Sequence, residues 1–134
     1  LSTKIHAVVN QDGLPVRLHI TAGQASDKTV APLLPDALPP GTVVADRGYD
    51  SLALVERVAA RGGEAHIPTQ RRVRLQRSVP PDLYRHRNLV ERYFCKLKPF
   101  RRIATRFDKH AITFLAAVAL ASARIWLRSI ESAP

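Results

Sequence analysis

Period-two alternation opens the chain. Ile5, Ala7 and Val9 alternate with Lys4, His6 and Val8; after the turn-forming Gln11-Asp12-Gly13 the pattern resumes, with Val16, Leu18 and Ile20 set against Arg17, His19 and Thr21. Alternation around a turn predicts a β-hairpin with one apolar face. His6 and His19 are then expected to be ordinary solvated histidines on an exposed strand face. In the loop that follows, Ser26 or Asp27 can cap a helix of one or two turns, which Pro32, Pro35 and Pro39-Pro40 limit. Thr42-Val43-Val44-Ala45 is a continuous apolar run between Gly41 and Gly48, the pattern of a buried strand in a parallel or mixed sheet. Asp50 or Ser51 caps an amphipathic helix that turns Leu52, Val55, Val58 and Ala59 inward and stops at Gly62-Gly63. Glu64 to Ile67 reads as a short strand ending at Pro68.

The period changes near the middle of the chain. From Pro80-Pro81-Asp82, with Asp82 as N-cap, a helix is predicted through Lys98. At about 100° per residue, Tyr84, Arg87, Glu91 and Lys98 fall within an arc of roughly 60°. Leu89, Val90, Tyr93, Phe94 and Leu97 take the adjoining arc, which sets a carboxylate among cations at the edge of a core face. Spacing alone also allows a plain surface helix in which Glu91 pairs with Arg87 at i,i+4. Cys95 lies in the same apolar neighbourhood and is expected to be a packed core thiol without chemistry. Pro99 removes a backbone donor and should end the helix at Lys98. The last segment, Ala111 to Ile130, is uncharged as far as Ala123; that is too short to span a bilayer and predicts a buried closing helix with Trp126 packing on or capping the core.

Charge narrows the function. Among 134 residues, Lys and Arg number 21 against 11 acids, a net charge of +10, while 46% hydrophobic content suits one globular domain over residues 1–134. Such an excess is the footprint of a partner for a polyanion, nucleic acid first. The bases cluster: Arg71, Arg72, Arg74 and Arg77 occupy a loop after Pro68, and Arg101 and Arg102 follow the long helix. Both groups are expected to follow phosphates, a contact that positions without reading sequence. One cysteine permits no internal disulfide, no zinc spacing occurs, and no signal peptide is visible, so a cytoplasmic chain is expected. No methionine is present, which points to a fragment, a trimmed chain or a non-standard start.

Tyr84-x2-Arg87-x3-Glu91-x6-Lys98 resembles the signature of bacterial insertion-sequence transposases with a DDE catalytic triad. Arg87-Asn88-Leu89-Val90-Glu91-Arg92, Phe100-Arg101-Arg102-Ile103-Ala104-Thr105-Arg106 and Ala45-Asp46-Arg47-Gly48-Tyr49-Asp50 are similar to the type-five branch of these elements. The resemblance covers nearly the whole chain. It implies an α/β, ribonuclease-H-like fold that lacks its first strand, so that the chain is the C-terminal portion of the catalytic domain. Asp46 and Glu91 become the second and third acidic residues of the triad. The first is carried by the missing strand, and neither Asp12 nor Asp27 matches its place, so the isolated chain is expected to be inactive.

The same resemblance implies hydrolysis at the element's end, then attack of the freed 3′ hydroxyl on target DNA. Such in-line transfers use two hard divalent cations about 3.5–4 Å apart, Mg2+ with Mn2+ as the alternative ion. Asp46 and Glu91 would be their ligands, with carboxyl groups roughly 4–8 Å apart. Tyr84, Arg87 and Lys98 carry over as contacts to DNA near the cleaved end, Arg87 gripping a phosphate through two N–H groups. The implied partners are double-stranded DNA, as element ends and target, and a second copy of the full-length protein, in the cytoplasm at the nucleoid. A non-catalytic DNA-binding remnant is the competing reading. An RNA-binding module ranks last, because interleaved exposed aromatics for stacking bases are lacking.

Overall fold

The structure is a computed structural model that describes residues 3–36, 38–100 and 111–132. It is mixed α/β with two small sheets, and the chain divides into two compact units, residues 1–23 with 88–134 and residues 24–87.

In the first unit, β1 (Thr3–Val9) and β2 (Pro15–Ala22) form the predicted antiparallel hairpin. Asn10 holds the turn, its side-chain oxygen accepting the N–H groups of Asp12 and Leu14 at 3.0 Å each. Register sets Ile5 opposite Ile20 and Ala7 opposite Leu18, so one face delivers four apolar side chains. That face packs on Leu14, Tyr93, Leu97, Phe114, Val118, Ala121 and Ile125. The helical members come from a helix at Asn88–Leu97 and from the long closing helix Ala111–Glu131, whose buried positions Phe114, Val118, Ala121 and Ile125 recur at helical spacing. Tyr93 is fully buried and shares a 2.7 Å hydrogen bond with the Ser122 hydroxyl, so neither polar atom is stranded. Trp126 packs on this core as expected, and its indole N–H donates to the Pro15 carbonyl at 2.7 Å.

In the second unit, Ser26 caps α1 (Asp27–Val30), and a 3₁₀ turn follows at Ala31–Leu33. β3 (Thr42–Val44) pairs in parallel with β4 (Glu64–His66). Parallel neighbours need a crossover, and α2 (Leu52–Ala60) supplies it. Ser51 caps α2; Gly62, at φ +84°, takes the left-handed geometry past its end. Ala31, Leu54, Val58 and Ile67 form the core, with Val43, Ala45, Tyr49 and Ala65 packed against them.

Several expectations need correction. The helix predicted from Asp82 to Lys98 is three pieces: α3 (Pro81–Tyr84), a 3₁₀ turn at Arg85–Arg87, and α4 (Asn88–Leu97). Pro80, not Asp82, is the N-cap of α3, because Pro81 occupies the first helical position, where its missing N–H costs nothing. The helical period of the polar stripe misled here, since a 3₁₀ turn advances by 120° rather than 100° per residue. Cys95 is exposed rather than packed. His6 is buried, its Nε2 2.8 Å from the Thr21 hydroxyl, rather than solvated. In α2 the inward pair is Leu54 and Val58, one turn apart, while Leu52 and Ala59 face water. The closing helix, here α5, buries one stripe only: Leu120, Leu127 and Ile130 are exposed.

Candidate active site

Asp46 lies two residues past Val44, the last residue of β3. Because β3 and β4 run parallel, their carboxyl ends point the same way, and in open α/β sheets that edge is where ligands are held. Extended backbone at Asp46 leads into a 3₁₀ turn at Arg47–Tyr49, and the carboxylate caps it, Oδ1 accepting the Gly48 N–H at 2.9 Å. One oxygen is thereby fixed. The other, Oδ2, lies 3.6 Å from Nη1 of Arg87, and the two side chains keep 43% and 32% of their surface in solvent. A half-exposed pair at this distance contributes at most about 1 kcal/mol to stability. The same guanidinium stands 5.9 Å over the ring of Tyr84. Asp46, Arg87 and Tyr84 are thus brought together from two sequence words far apart in the chain.

A fourth group joins them that the sequence reading had set aside. A Cβ added to Gly48 would lie 2.8 Å from Oδ2 of Asp27 and 3.0 Å from Oδ1 of Asp46, so two carboxylates close on one bare Cα. The phenol beside them responds: Tyr49 is pushed well above the usual tyrosine range, first by burial and then by the charges of Asp27 and Asp46. Asp27 was legible only as a possible helix cap, a role that Ser26 fills. No spacing links it to Asp46; the nearest sequence signal is that each follows a strand and opens a helical turn. Arg47 Nε is buried and, among the described residues, lacks a hydrogen-bond partner.

Glu91 stands in the first turn of α4, where the amino end of a helix favours a carboxylate, and its side chain is exposed. Lys98 is exposed just past Leu97, the last helical residue, as the proline at 99 requires. Arg71, Arg72 and Arg74 are exposed on the loop after β4. Arg77 is engaged within the unit: its guanidinium pairs with Asp50 and donates from Nε to the Ile67 carbonyl at 3.2 Å. Arg101 and Arg102 lie outside the described residues.

Carboxylate oxygens at Asp46 are hard donors of the kind that magnesium and manganese take. Among the described residues, no three His, Cys, Asp or Glu side chains are grouped to hold a metal ion, and no helix is long and apolar enough to cross a membrane.

A family model described as "Transposase DDE domain" matches residues 2–126. The chain is 39% identical over 133 residues to "Putative transposase for insertion sequence element IS6501" of Brucella ovis, covering 96% of this chain and 100% of that protein. It is 31% identical over 121 residues to "Putative transposase for insertion sequence element IS402" of Burkholderia cepacia, covering 81% of this chain and 55% of that protein. No solved structure matches.

Proposed function

The chain belongs to the transposase DDE domain family of bacterial insertion sequences, and from that premise we propose that it cuts DNA at the ends of such an element and joins them to target DNA. Its fold in this reading is ribonuclease-H-like, and residues 1–134 form part of one catalytic domain. Asp46 and Glu91 are two carboxylates of the catalytic set and the ligands of a divalent cation, Mg2+ or Mn2+. When bound, such ions supply a polarised nucleophile and charge stabilisation at the leaving oxygen.

One observation carries the reading: Asp46, at the carboxyl end of a parallel strand, is paired with Arg87, the arginine of the Tyr84-x2-Arg87-x3-Glu91 word. The chain's own residues divide the work. The Gly48 N–H fixes one oxygen of Asp46, which leaves the second to face the reacting centre. Arg87 covers that oxygen while DNA is absent; an arriving phosphate competes for the guanidinium with two parallel N–H bonds and uncovers it. Tyr84 holds the guanidinium plane from below, and Lys98, Arg71, Arg72, Arg74, Arg101 and Arg102 offer further cationic contacts to the duplex. The full-length protein acts as a homodimer, one copy to each element end, in the cytoplasm at the nucleoid.

The test pairs two measurements on protein expressed from its natural coding region: magnesium-dependent cleavage of a duplex bearing the element's terminal repeats, and binding to that duplex at fixed salt. Asp46→Asn and Glu91→Gln should each lower cleavage by about a thousandfold or more while affinity stays equal or rises slightly, because a negative charge facing phosphate is removed. Retained cleavage in either variant removes that residue from the catalytic set. Binding without cleavage in the wild type would favour a DNA-binding remnant.

A further inference from the structure

Between β4 and α3 the chain forms a loop whose base is braced and whose tip is bare. At the base, Asp50 is buried and accepts the Gln70 N–H at 2.8 Å through Oδ2 and the Arg77 guanidinium through Oδ1. Thr69, also buried, accepts the Arg77 N–H at 2.8 Å, and the Gln70 side chain donates to the Arg47 carbonyl at 2.6 Å. Within the loop, the Gln76 amide spans to the carbonyls of Gln70 and Val73 at 2.9 and 2.6 Å, and the Val73 N–H donates to the Gln70 carbonyl at 3.0 Å. This is a folded turn rather than a slack linker.

What the turn presents is unusual for a solvated basic loop. Arg71, Arg72 and Arg74 are exposed, and set among them are Leu75, 87% exposed, and Val73, 45% exposed. A leucine held in water forgoes the gain of burying its apolar surface. Three flanking guanidiniums make an apolar protein pocket a poor destination for it, since each would have to be desolvated or paired. A duplex satisfies both chemistries at once: phosphates take the cations, and a parted base step offers an apolar slot the width of an aliphatic side chain.

We propose that this loop is a DNA wedge, with Arg71, Arg72 and Arg74 on phosphates and Leu75 inserted between bases to open a step. This rests on the reading of the chain as a DNA-processing enzyme and deepens it. Unstacking a step is costly, least so at flexible pyrimidine–purine steps. Leucine burial and phosphate contacts offset that cost only if the tip arrives preformed, which is what the Asp50, Thr69 and Gln76 bonds provide. A distorted step beside the cleavage point would also free the strand for the geometry of in-line attack.

The experiment uses the full chain and duplexes of the terminal repeat in which single adenines are replaced by 2-aminopurine, whose fluorescence rises on unstacking. The wild type should brighten one or two adjacent positions severalfold. Leu75→Ala should return them to the free-duplex level while affinity stays within about threefold and the salt slope is unchanged. Leu75→Met should retain the signal. Replacing Arg71, Arg72 and Arg74 together with alanine should flatten the log–log salt slope by about 2–3. Binding with no brightened position, or brightening that survives Leu75→Ala, overturns the wedge and leaves the DNA-processing reading intact. Failure of the wild type to bind any duplex at low salt overturns both.

Discussion

Tyr49 shows how much of this site is made by single atoms. Its phenol is half-buried beside Asp27 and Asp46, and burial and both charges all favour the protonated form. A tyrosine in the unfolded chain titrates near 10. Because the folded value is higher, the native state binds the extra proton above about pH 10, and the stability from Tyr49 is full below that point and lost as pH rises through the folded value. The expected outcome is an alkaline loss of stability that Tyr49→Phe reduces, the remainder coming from Tyr93, whose phenol burial also pushes up. In Asp27→Asn, an absorbance titration should show the Tyr49 transition shifted down, but not to the free-tyrosine value, since burial, the larger cause, remains. A transition unmoved by Asp27→Asn would mean that the two groups do not interact. Gly48 has the same locality: the space its missing side chain leaves is occupied by two carboxylates.

At the scale of elements, the loop after β4 is held by charge rather than by apolar packing. Burial alone would push the Asp50 carboxyl up, but the Gln70 N–H and the Arg77 guanidinium outweigh it and hold the group below the usual carboxylate range. The unfolded chain therefore takes up the proton first as pH falls below about 4, so the contribution of Asp50 is present above that value and lost beneath it. Proteolysis within residues 70–77 should accelerate in this acid window before the rest of the second unit opens. Asp50→Asn should make cleavage there fast at neutral pH and nearly independent of acid. Equal cleavage rates for wild type and variant at pH 7 would show that the brace does not hold the loop. The two inward residues of α2 follow a different rule: Leu54 and Val58 are held by apolar burial and carry no titrating group of their own.

For the molecule as a whole, the net charge of +10 is the dominant long-range property. Attraction between a cationic surface and phosphate is independent of base sequence and depends on released counterions, with a log–log salt slope of about −0.9 per phosphate on B-DNA. Affinity for an unrelated duplex should therefore fall with salt nearly as steeply as affinity for the element's ends. A slope near zero for the unrelated duplex would mean that the excess charge faces something other than DNA.

Patterns that depend on near neighbours were legible in the chain itself. The hairpin, its apolar alternation through Ile5, Ala7, Leu18 and Ile20, a cap at Ser26 or Asp27 and at Asp50 or Ser51, the stop at Gly62 and the helix end before Pro99 all follow from periodicity, turn chemistry and proline geometry acting within a few residues. The motif words around Asp46 and Arg87 were visible too, and they were enough to identify the family. What tertiary structure decided is what depends on distant partners. Whether His6 is wet or buried turns on the Thr21 hydroxyl across the strand pair. Whether Leu52 or Leu54 faces the core turns on where β4 and Ala31 lie. The pairing of Asp46 with Arg87, the approach of Asp27 to Gly48, and the bond that takes Arg77 to Asp50 join residues with no local relation. The predicted long helix is divided by a 3₁₀ turn at Arg85–Arg87, which a period read along one face at a constant turn per residue does not anticipate.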